Sequence, residues 1–353
     1  MPQLNVRIGC VVLAVVMSAV TYYFVEPRLR WGRFGGYKAA GLLSVMVVVG
    51  IAGYSVERHD GYTVRMNDPE QPVIDAINKQ LEDDHQRCLK EIPDWDTDSH
   101  GDMTKCRMQR QSGQNTIAVI GDSHAGHLYP GLTVHARRND GIAVFPSECS
   151  IPLIGIKTGG TYWPQNEHLL SEGFSYILGH KNITKVVLSH YPVCWGLAGV
   201  TDTLNTGNQD LQSVLHDGFV RTYDALTKAG KEIYVVLNSP LYRRENWEKC
   251  KSSSVRRPVS IPSFLTLKND SVCSVKQSDL AGSGFNDNWN KTAMEYANGY
   301  RNIHFIDLEH VFCKNDSCSM LDSDGNILFK DEHHLNIKGS LYAAQYIFNK
   351  LLE

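Results

Sequence analysis

The chain has 353 residues, with 42% hydrophobic and 21% charged side chains, and a formal net charge of −3 from 35 Lys+Arg against 38 Asp+Glu. This length allows one large domain or two small ones, and the composition excludes a disordered or collagen-like chain. The near balance of charge gives no support to a nucleic-acid-binding protein, whose binding domain is usually basic.

The amino-terminal region contains two uncharged apolar runs. One run of 18 residues follows Arg7, and another of 18 residues follows Lys38. At about 1.5 Å per residue, a helix of this length spans roughly 27 Å, close to the hydrocarbon thickness of a bilayer. The runs therefore predict two transmembrane helices, near 4–25 and 37–56. A signal peptide would explain only the first run, and a buried helical hairpin is the other alternative.

The connector between the two runs carries most of the basic residues of this region. Positively charged loops remain in the cytoplasm, so the connector is predicted to be cytoplasmic. The amino terminus and everything after residue 57 are then predicted to lie outside the cytoplasm. The basic residues of the connector are Arg28, Arg30, Arg33 and Lys38.

Eight of the nine cysteines follow the apolar runs. An even number of cysteines in an extracytoplasmic domain indicates disulfide bonds, with eight reduced thiols as the alternative. Cys313 and Cys318 close a short loop and form the most direct pair. There is no CxxC pair, so we expect no metal site. Sequence order suggests three further pairs: Cys88–Cys106, Cys149–Cys194 and Cys250–Cys273.

From residue 116 onward, short apolar runs alternate with helical segments. Continuous Val/Ile/Leu strands separated by helices indicate a parallel sheet that is covered on both faces. The predicted fold class is α/β, a three-layer α/β/α sandwich of the flavodoxin-like type, with the active site at the carboxyl ends of the strands. The predicted strands are 116–121, 142–145, 185–190, 231–237 and 302–308. The predicted helices lie near 126–138, 166–180, 209–229, 287–299 and 338–351.

The chain is thereby divided into three regions. Residues 1–56 form the two membrane helices. Residues 57–112 form a linker or an extension packed on the main domain, with a helix near 73–90, and residues 113–353 form the catalytic domain. Within that domain, 239–285 is too long for an ordinary connection and is predicted to be an insertion that shapes the substrate site.

Two short motifs lie where this fold would place an active site. Gly121, Asp122 and Ser123 directly follow the first strand and precede a helix, so the serine hydroxyl reaches the carboxyl end of the sheet. The second motif holds Asp331 and, three residues later, His334, in the loop before the last helix. A histidine there can act as general base for the serine, and the aspartate can fix its tautomer.

The combination of the two motifs resembles the SGNH, or GDSL-like, hydrolase family over roughly residues 115–353. The resemblance implies that Ser123 is the nucleophile, His334 the base and Asp331 the residue that orients the base. His333 lies outside the family register and is interpreted as a flanking residue.

The family completes its oxyanion hole with a glycine after the second strand and an asparagine after the third. The backbone N–H of Ser123 carries over, but no asparagine follows the third strand of this chain. The nearest glycine is Gly155, and His190 or Trp195 is a candidate substitute donor, with simple packing or lining of the cleft as the alternative. His124 and His127 are expected to cap the helix or line the cleft, with direct participation in the chemistry as the alternative.

Residues 21–31 resemble the end of the last core helix of the membrane acyltransferase-three family. In some members that core is followed by one more transmembrane helix and an extracytoplasmic SGNH domain, which is the order seen here. The resemblance implies the carboxyl-terminal part of a fused O-acetyltransferase that modifies a cell-envelope glycan such as lipopolysaccharide O-antigen. It also implies a bacterial inner-membrane protein with its soluble domain in the periplasm.

The implied reaction passes through an acyl-enzyme on the serine, from which a sugar hydroxyl takes the acyl group. No permanently bound cofactor is expected, and acetyl-CoA is the ultimate acyl donor in the complete protein. The expected partners are a glycan acceptor, the membrane and the missing acyltransferase membrane core, and no nucleic acid. A membrane-anchored carbohydrate esterase and a non-catalytic glycan-binding module are the alternative functions.

Overall fold

A computed structural model describes residues 4–27, 35–58, 71–96, 102–111, 113–158, 166–191, 199–207, 210–237, 239–254, 270–281 and 283–353. The chain forms two compact units, and the main division lies between Gln71 and Pro72.

The described secondary structure alternates between strands and helices after the first three helices. The helices are α1 (Leu4–Val20), α2 (Gly35–Arg58), α3 (Gln71–Glu91), α4 (Ser123–Gly126), α5 (Tyr129–His135), α6 (Asn166–Gly179), α7 (Leu211–Lys228), α8 (Arg244–Ser254), α9 (Ser283–Tyr296), α10 (Glu309–Phe312) and α11 (Ile337–Leu352). The strands are β1 (Arg107–Met108), β2 (Ile117–Gly121), β3 (Ile142–Pro146), β4 (Ile156–Thr158), β5 (Lys185–Ser189), β6 (Val200–Asp202), β7 (Glu232–Val236), β8 (Ser274–Lys276), β9 (Ile303–Ile306), β10 (Cys313–Lys314) and β11 (Ser317–Ser319).

The described residues of the amino-terminal unit lie mainly in the two apolar helices α1 and α2. The segment Ala40–Arg58 of α2 is 19 residues long and is apolar enough to cross a membrane. The apolar stretch Val11–Phe24 is shorter than a full span. The large apolar side chains described on both helices are exposed. Two helices are present where the sequence predicts them, and their insertion into a membrane stays a prediction.

The second unit is built on a six-stranded sheet with the strand order β1-β3-β2-β5-β7-β9. All of its neighbouring strands are parallel except β1, which pairs antiparallel with β3 at the edge. The five parallel strands follow the flavodoxin-like order, in which the second strand of the chain lies outside the first. The register pairs Gly121 with both Pro146 and Ser189, so three neighbouring strands end at the same level.

Both faces of the sheet are covered by helices. The side chains of β2 alternate, because Ile117 and Val119 belong to one apolar core and Ala118 and Ile120 belong to the other. The first core includes residues of α3, α5 and α11, and the second includes residues of α6, α7 and α9. This three-layer α/β/α sandwich confirms the predicted fold class.

Helices α5 and α11 approach each other unusually closely. The N–H of Gly131 donates to the hydroxyl of Ser340 at 2.8 Å, and that hydroxyl donates to the carbonyl of Leu128 at 3.1 Å. A Cβ on Gly131 would lie 2.1 Å from the backbone oxygen of Ser340, so only glycine permits this approach. The contact joins the helix that follows the first motif to the helix that follows the second.

The described residues 72–96 and 102–111 lie in the same unit as the six-stranded sheet. The Tyr129 hydroxyl donates to the buried carboxylate of Asp84 in α3 at 2.8 Å. A disulfide joins Cys88 and Cys106, and the next two residues form the edge strand β1. This strand is not predicted from the sequence, because a strand of two residues is too short to show a periodic pattern.

Three of the four predicted disulfides are present in the described residues, namely Cys88–Cys106, Cys250–Cys273 and Cys313–Cys318. Cys149 is also disulfide-bonded, and its predicted partner Cys194 lies outside the described residues. The predicted insertion contains both α8 and β8, and the Cys250–Cys273 disulfide joins α8 to the residue directly before β8. Strand β8 in turn pairs with β11 in a small antiparallel sheet.

Replacement of Gly131 by alanine tests the packing between α5 and α11. We expect Gly131→Ala to lower the free energy of unfolding by about 1–3 kcal/mol, because the new methyl group overlaps a backbone oxygen that cannot move alone. The measurement is urea unfolding followed by circular dichroism. Gly179→Ala is the matched control, since nothing lies within 4 Å of its Cβ position. Equal destabilisation by both substitutions would contradict this account of the packing.

Candidate active site

The first part of the site is the turn that leaves β2. Gly121 has a φ of +156°, and a Cβ there would lie 1.6 Å from the backbone oxygen of Ser189 in β5. A side chain at this position would therefore collide with the neighbouring strand. The absence of one lets the chain turn directly from the sheet into α4, so Ser123 stands at the carboxyl edge of the central strands.

The buried side chain of Asp122 holds this turn in place. Its carboxylate is completely buried and accepts the N–H of His124 at 2.8 Å, as the N-cap of α4. The other carboxylate oxygen accepts the N–H of Tyr191 at 2.8 Å, and the Nδ1 atom of His190 lies 3.1 Å from it. One side chain thus joins the serine turn to the chain that leaves β5.

The second part of the site is the loop before α11. A backbone hydrogen bond from Lys330 to the carbonyl of His334 closes a tight turn at 2.8 Å. The N–H of Leu335 donates to Nδ1 of His127 at 3.3 Å, which connects the loop to the end of α4. Because Nδ1 of His127 accepts this bond, its proton is carried on Nε2.

Ser123, His334 and Asp331 form a continuous chain of hydrogen bonds. The Ser123 hydroxyl oxygen lies 2.7 Å from Nε2 of His334, and Nδ1 of that ring lies 2.8 Å from an oxygen of Asp331. An imidazole that donates from Nδ1 to a carboxylate presents Nε2 as an acceptor, so the serine hydroxyl donates to it. The structure therefore brings together the three residues that the sequence analysis selected.

The environment keeps Asp331 ionised. Burial raises the pKa of its carboxyl, but the hydrogen bond and charge of His334 and the N–H groups of His333 and His334 outweigh that effect. The net result is a pKa well below the usual range of an aspartate. Its second oxygen accepts both of those N–H groups, at 3.0 and 2.8 Å. A permanently charged acceptor fixes the histidine tautomer in the form that a base requires.

Three further aromatic rings surround the serine and the base. Nε2 of His124 lies 3.1 Å from Nδ1 of His333, within hydrogen-bonding distance. The ring of His333 is stacked on Tyr191, with centroids 4.2 Å apart and an angle of 4°. The His124 ring is stacked on the same tyrosine at 4.9 Å. The ring of His333, interpreted from the sequence as a flanking residue, lies beside His334 with the ring centroids 3.9 Å apart.

These imidazoles are held neutral. Burial lowers the pKa of His124 and His127 well below the usual value, and the neighbouring imidazoles lower it further. Burial and the proximity of His334 lower the pKa of His333 to about 4. Each additional positive charge in the cluster would be desolvated and would repel the others. Near neutral pH the cluster therefore offers unprotonated nitrogen atoms.

His190 and Gly155, the two side candidates for the oxyanion hole, lie in different parts of the structure. His190 is buried behind Asp122, with its ring 5.0 Å from the ring of Trp289. Gly155 has a φ of +76°, and a Cβ there would contact Arg221 and Leu204. Pairing of β4 with β6 directs the Gly155 loop toward α7. The participation of either residue in an oxyanion hole stays a prediction, as does that of the Ser123 N–H.

Two residues of the site were not selected from the sequence. Asp122 lies inside the first motif, and its position before a short helix is a typical N-cap signal that could have identified it. Tyr191 has no local signal, because its contact with His333 depends on how distant loops meet.

Comparisons with known proteins identify related sequences and structures. A family described as an SGNH domain fused to AT3 domains matches residues 87–348. The comparison with curated proteins gives no match. Among solved structures, the chain is similar to the periplasmic domain of a lipopolysaccharide acetyltransferase of Salmonella ser. Paratyphi A. The two are 17% identical with a TM-score of 0.49, over 69% of this chain and 85% of that chain.

Removal of the Asp122 carboxylate tests its role in fixing the turn. We expect Asp122→Ala to lower the free energy of unfolding by about 2 kcal/mol or more, because the buried N–H of His124 and the partly buried N–H of Tyr191 both lose their acceptor. Asp210→Ala is the matched control, since Asp210 is the exposed N-cap of α7. This control substitution should lower the free energy of unfolding by only about 0.5–1 kcal/mol. Equal losses in urea unfolding would show that Asp122 acts only as a local helix cap.

Proposed function

Because the chain belongs to the SGNH domain family of the type fused to AT3 domains, we propose that it is an O-acyltransferase that acetylates a cell-envelope glycan. Lipopolysaccharide O-antigen is the first candidate acceptor. Ser123 is the nucleophile, His334 the general base and acid, and Asp331 the residue that orients His334.

A single observation carries the proposal. The 2.7 Å contact between Ser123 Oγ and His334 Nε2 continues through a 2.8 Å contact to Asp331. All three side chains are only partly buried, with 17% of the His334 side chain and 32% of the Asp331 side chain exposed. A serine that is both activated by a base and reachable from solvent is suited to covalent catalysis.

In the first half-reaction, Ser123 Oγ attacks the carbonyl carbon of an acyl donor while its proton moves to Nε2 of His334. The bond from the carbonyl carbon to the leaving group breaks, and the leaving group takes that proton. The products are an acetyl ester on Ser123 and a neutral His334. Asp331 remains ionised throughout and stabilises the transient imidazolium.

In the second half-reaction, a sugar hydroxyl attacks the acetyl ester and gives its proton to His334. The bond between the acetyl carbon and Ser123 Oγ breaks, and the proton returns to the serine. Water could replace the sugar in the same step, and the product would then be free acetate. The identity of the acceptor therefore distinguishes the transferase from the alternative esterase.

The apolar helices fit a role in a membrane. Their exposed aliphatic side chains would be costly in water and favourable in lipid. We place the second unit in the periplasm of a bacterium, where the disulfides persist. The acyl group would originate from cytoplasmic acetyl-CoA and reach Ser123 through an acyltransferase membrane core, supplied by the same gene or by a partner chain.

An acyl-enzyme on Ser123 is the first test of this proposal. We expect the full chain in detergent, mixed with an aryl acetate, to gain one acetyl group on the peptide that contains Ser123, as measured by mass spectrometry after an acid quench. Ser123→Ala should abolish the adduct. The matched control Ser323→Ala should still form the adduct, because Ser323 is exposed and far from Ser123 in the sequence.

The acceptor decides between the two enzyme classes. Addition of deacetylated O-antigen polysaccharide should divert acetyl groups from water to the glycan, measured as ester-linked acetate on the polymer. Release only to water, at a rate independent of glycan, would favour the esterase. If neither the adduct nor any turnover is observed, both the transferase and the esterase function are contradicted. The remaining alternative is then a glycan-binding module.

Neutralisation of the orienting carboxylate is the second test. We expect Asp331→Asn to reduce kcat for aryl acetate hydrolysis by about 10³–10⁴-fold, because an amide favours the wrong tautomer of His334. Asp324→Asn is the matched control, an exposed aspartate in the same region that should retain wild-type turnover. A loss of less than tenfold for Asp331→Asn would show that the carboxylate does not orient the base.

A further inference from the structure

Three imidazoles beside Ser123 lie close enough together to share one ion. His124, His333 and His334 each offer one nitrogen atom, and the three atoms lie within 4.8 Å of one another. We propose that this histidine cluster is a binding site for Zn²⁺ or a similar borderline transition-metal ion, and that the bound metal inhibits the enzyme by occupying Nε2 of His334. The binding part stands on geometry alone, whereas the inhibition part rests on the proposed function.

The spacing of the nitrogen atoms is close to that of a tetrahedral site. Zinc–imidazole distances of 2.0–2.1 Å place two ligand nitrogens about 3.3 Å apart. Nε2 of His124 and Nδ1 of His333 are already 3.1 Å apart. The nitrogen offered by His334 lies within 4.8 Å of the other two, at most about 1.5 Å beyond that spacing, so the His334 ring would shift toward them when a metal binds. Three histidines with a fourth, open position form a well-known zinc ligand set.

The surroundings hold these ligands in orientation. Tyr191 stacks on His333 at 4.2 Å and on His124 at 4.9 Å, which restricts rotation of both rings. Nδ1 of His334 faces the Asp331 carboxylate at 2.8 Å, the arrangement by which a carboxylate orients a metal-bound histidine.

Metal binding and catalysis require the same atom. Nε2 of His334 accepts the Ser123 hydroxyl at 2.7 Å in the structure. A metal ion would replace that hydrogen bond with a dative bond, and the serine would keep its proton. The proton shared between His124 and His333 would move to another ring nitrogen or to solvent. The metal-bound state therefore has no base for the nucleophile, although every catalytic residue is present.

A direct binding measurement tests the site. The full chain in detergent is first treated with a chelator and is then titrated with ZnCl₂ in a calorimeter, with Co²⁺ as a spectroscopic probe. We expect one equivalent of Zn²⁺ to bind, and the visible bands of bound Co²⁺ to indicate tetrahedral coordination. His333→Gln should weaken binding at least tenfold, and Asp331→Asn about 10–100-fold through loss of orientation.

Two control variants separate this site from other binding. His304→Gln should leave Zn²⁺ affinity unchanged, because His304 lies on β9 and faces Glu232 at 2.9 Å. Ser123→Ala should also retain the affinity, since the serine is not one of the three ligands. Thermal unfolding of each variant without metal verifies that it is folded. His333 is only partly buried, so its replacement by Gln should preserve the fold.

Labelling of Ser123 tests the inhibition separately. A fluorophosphonate probe reacts with an activated serine without any glycan or natural acyl donor. We expect Zn²⁺ to slow labelling of the wild-type chain at least tenfold, chelator to restore it, and Zn²⁺ to have no effect on His333→Gln.

The possible failures are distinguishable. Absence of Zn²⁺ binding, or binding that His333→Gln does not weaken, would overturn the proposed site even if the acetyl adduct forms. Binding with unchanged labelling would overturn the inhibition. Binding to a chain that neither labels nor forms an adduct would overturn the proposed function and leave the metal site standing.

Discussion

The hydrogen bond between Ser123 and His334 joins two segments that are 211 residues apart in the sequence, and the site depends on its 2.7 Å length. Neither segment alone determines that distance. It is set by the close packing of α5 on α11 at Gly131, and by the bond from Leu335 to His127. The serine and its base are thus positioned by the helices that follow them, which share one face of the sheet.

Two carboxylates anchor the site, and both are stabilised by backbone N–H groups. Asp122 accepts two N–H groups, one from the turn after β2 and one from the chain after β5. Asp331 accepts two N–H groups from its own loop. Backbone donors are fixed by the fold, so they compensate a partly or wholly buried charge without a mobile cation. Asp331 is also the partner of the His334 imidazole, whereas Asp122 supports the turn that presents Ser123.

The imidazole cluster gives the site two properties that compete with each other. Burial and mutual repulsion keep His124 and His333 neutral, so the base at His334 is not surrounded by positive charge. The same neutral nitrogens form a ligand set for a soft or borderline cation. In the proposed active site, the histidines gathered around Ser123 would provide a controlled electrostatic environment and, with it, a sensitivity to metal ions.

The sequence by itself determined the α/β class, the order of the five parallel strands, the three disulfides that the described residues contain and the selection of Ser123, Asp331 and His334 as candidate site residues. These features follow from local patterns, because buried parallel strands are continuous apolar runs and each half of the triad lies at a strand-to-helix junction. Tertiary structure alone decided the contact between Tyr191 and His333, whose rings meet across separate loops, and the positions of Gly155 and His190. Edge strand β1 was also beyond the sequence, since a two-residue strand exists only through its pairing with β3. Local patterns record which residues share an element, whereas contacts between loops depend on how several elements pack at once.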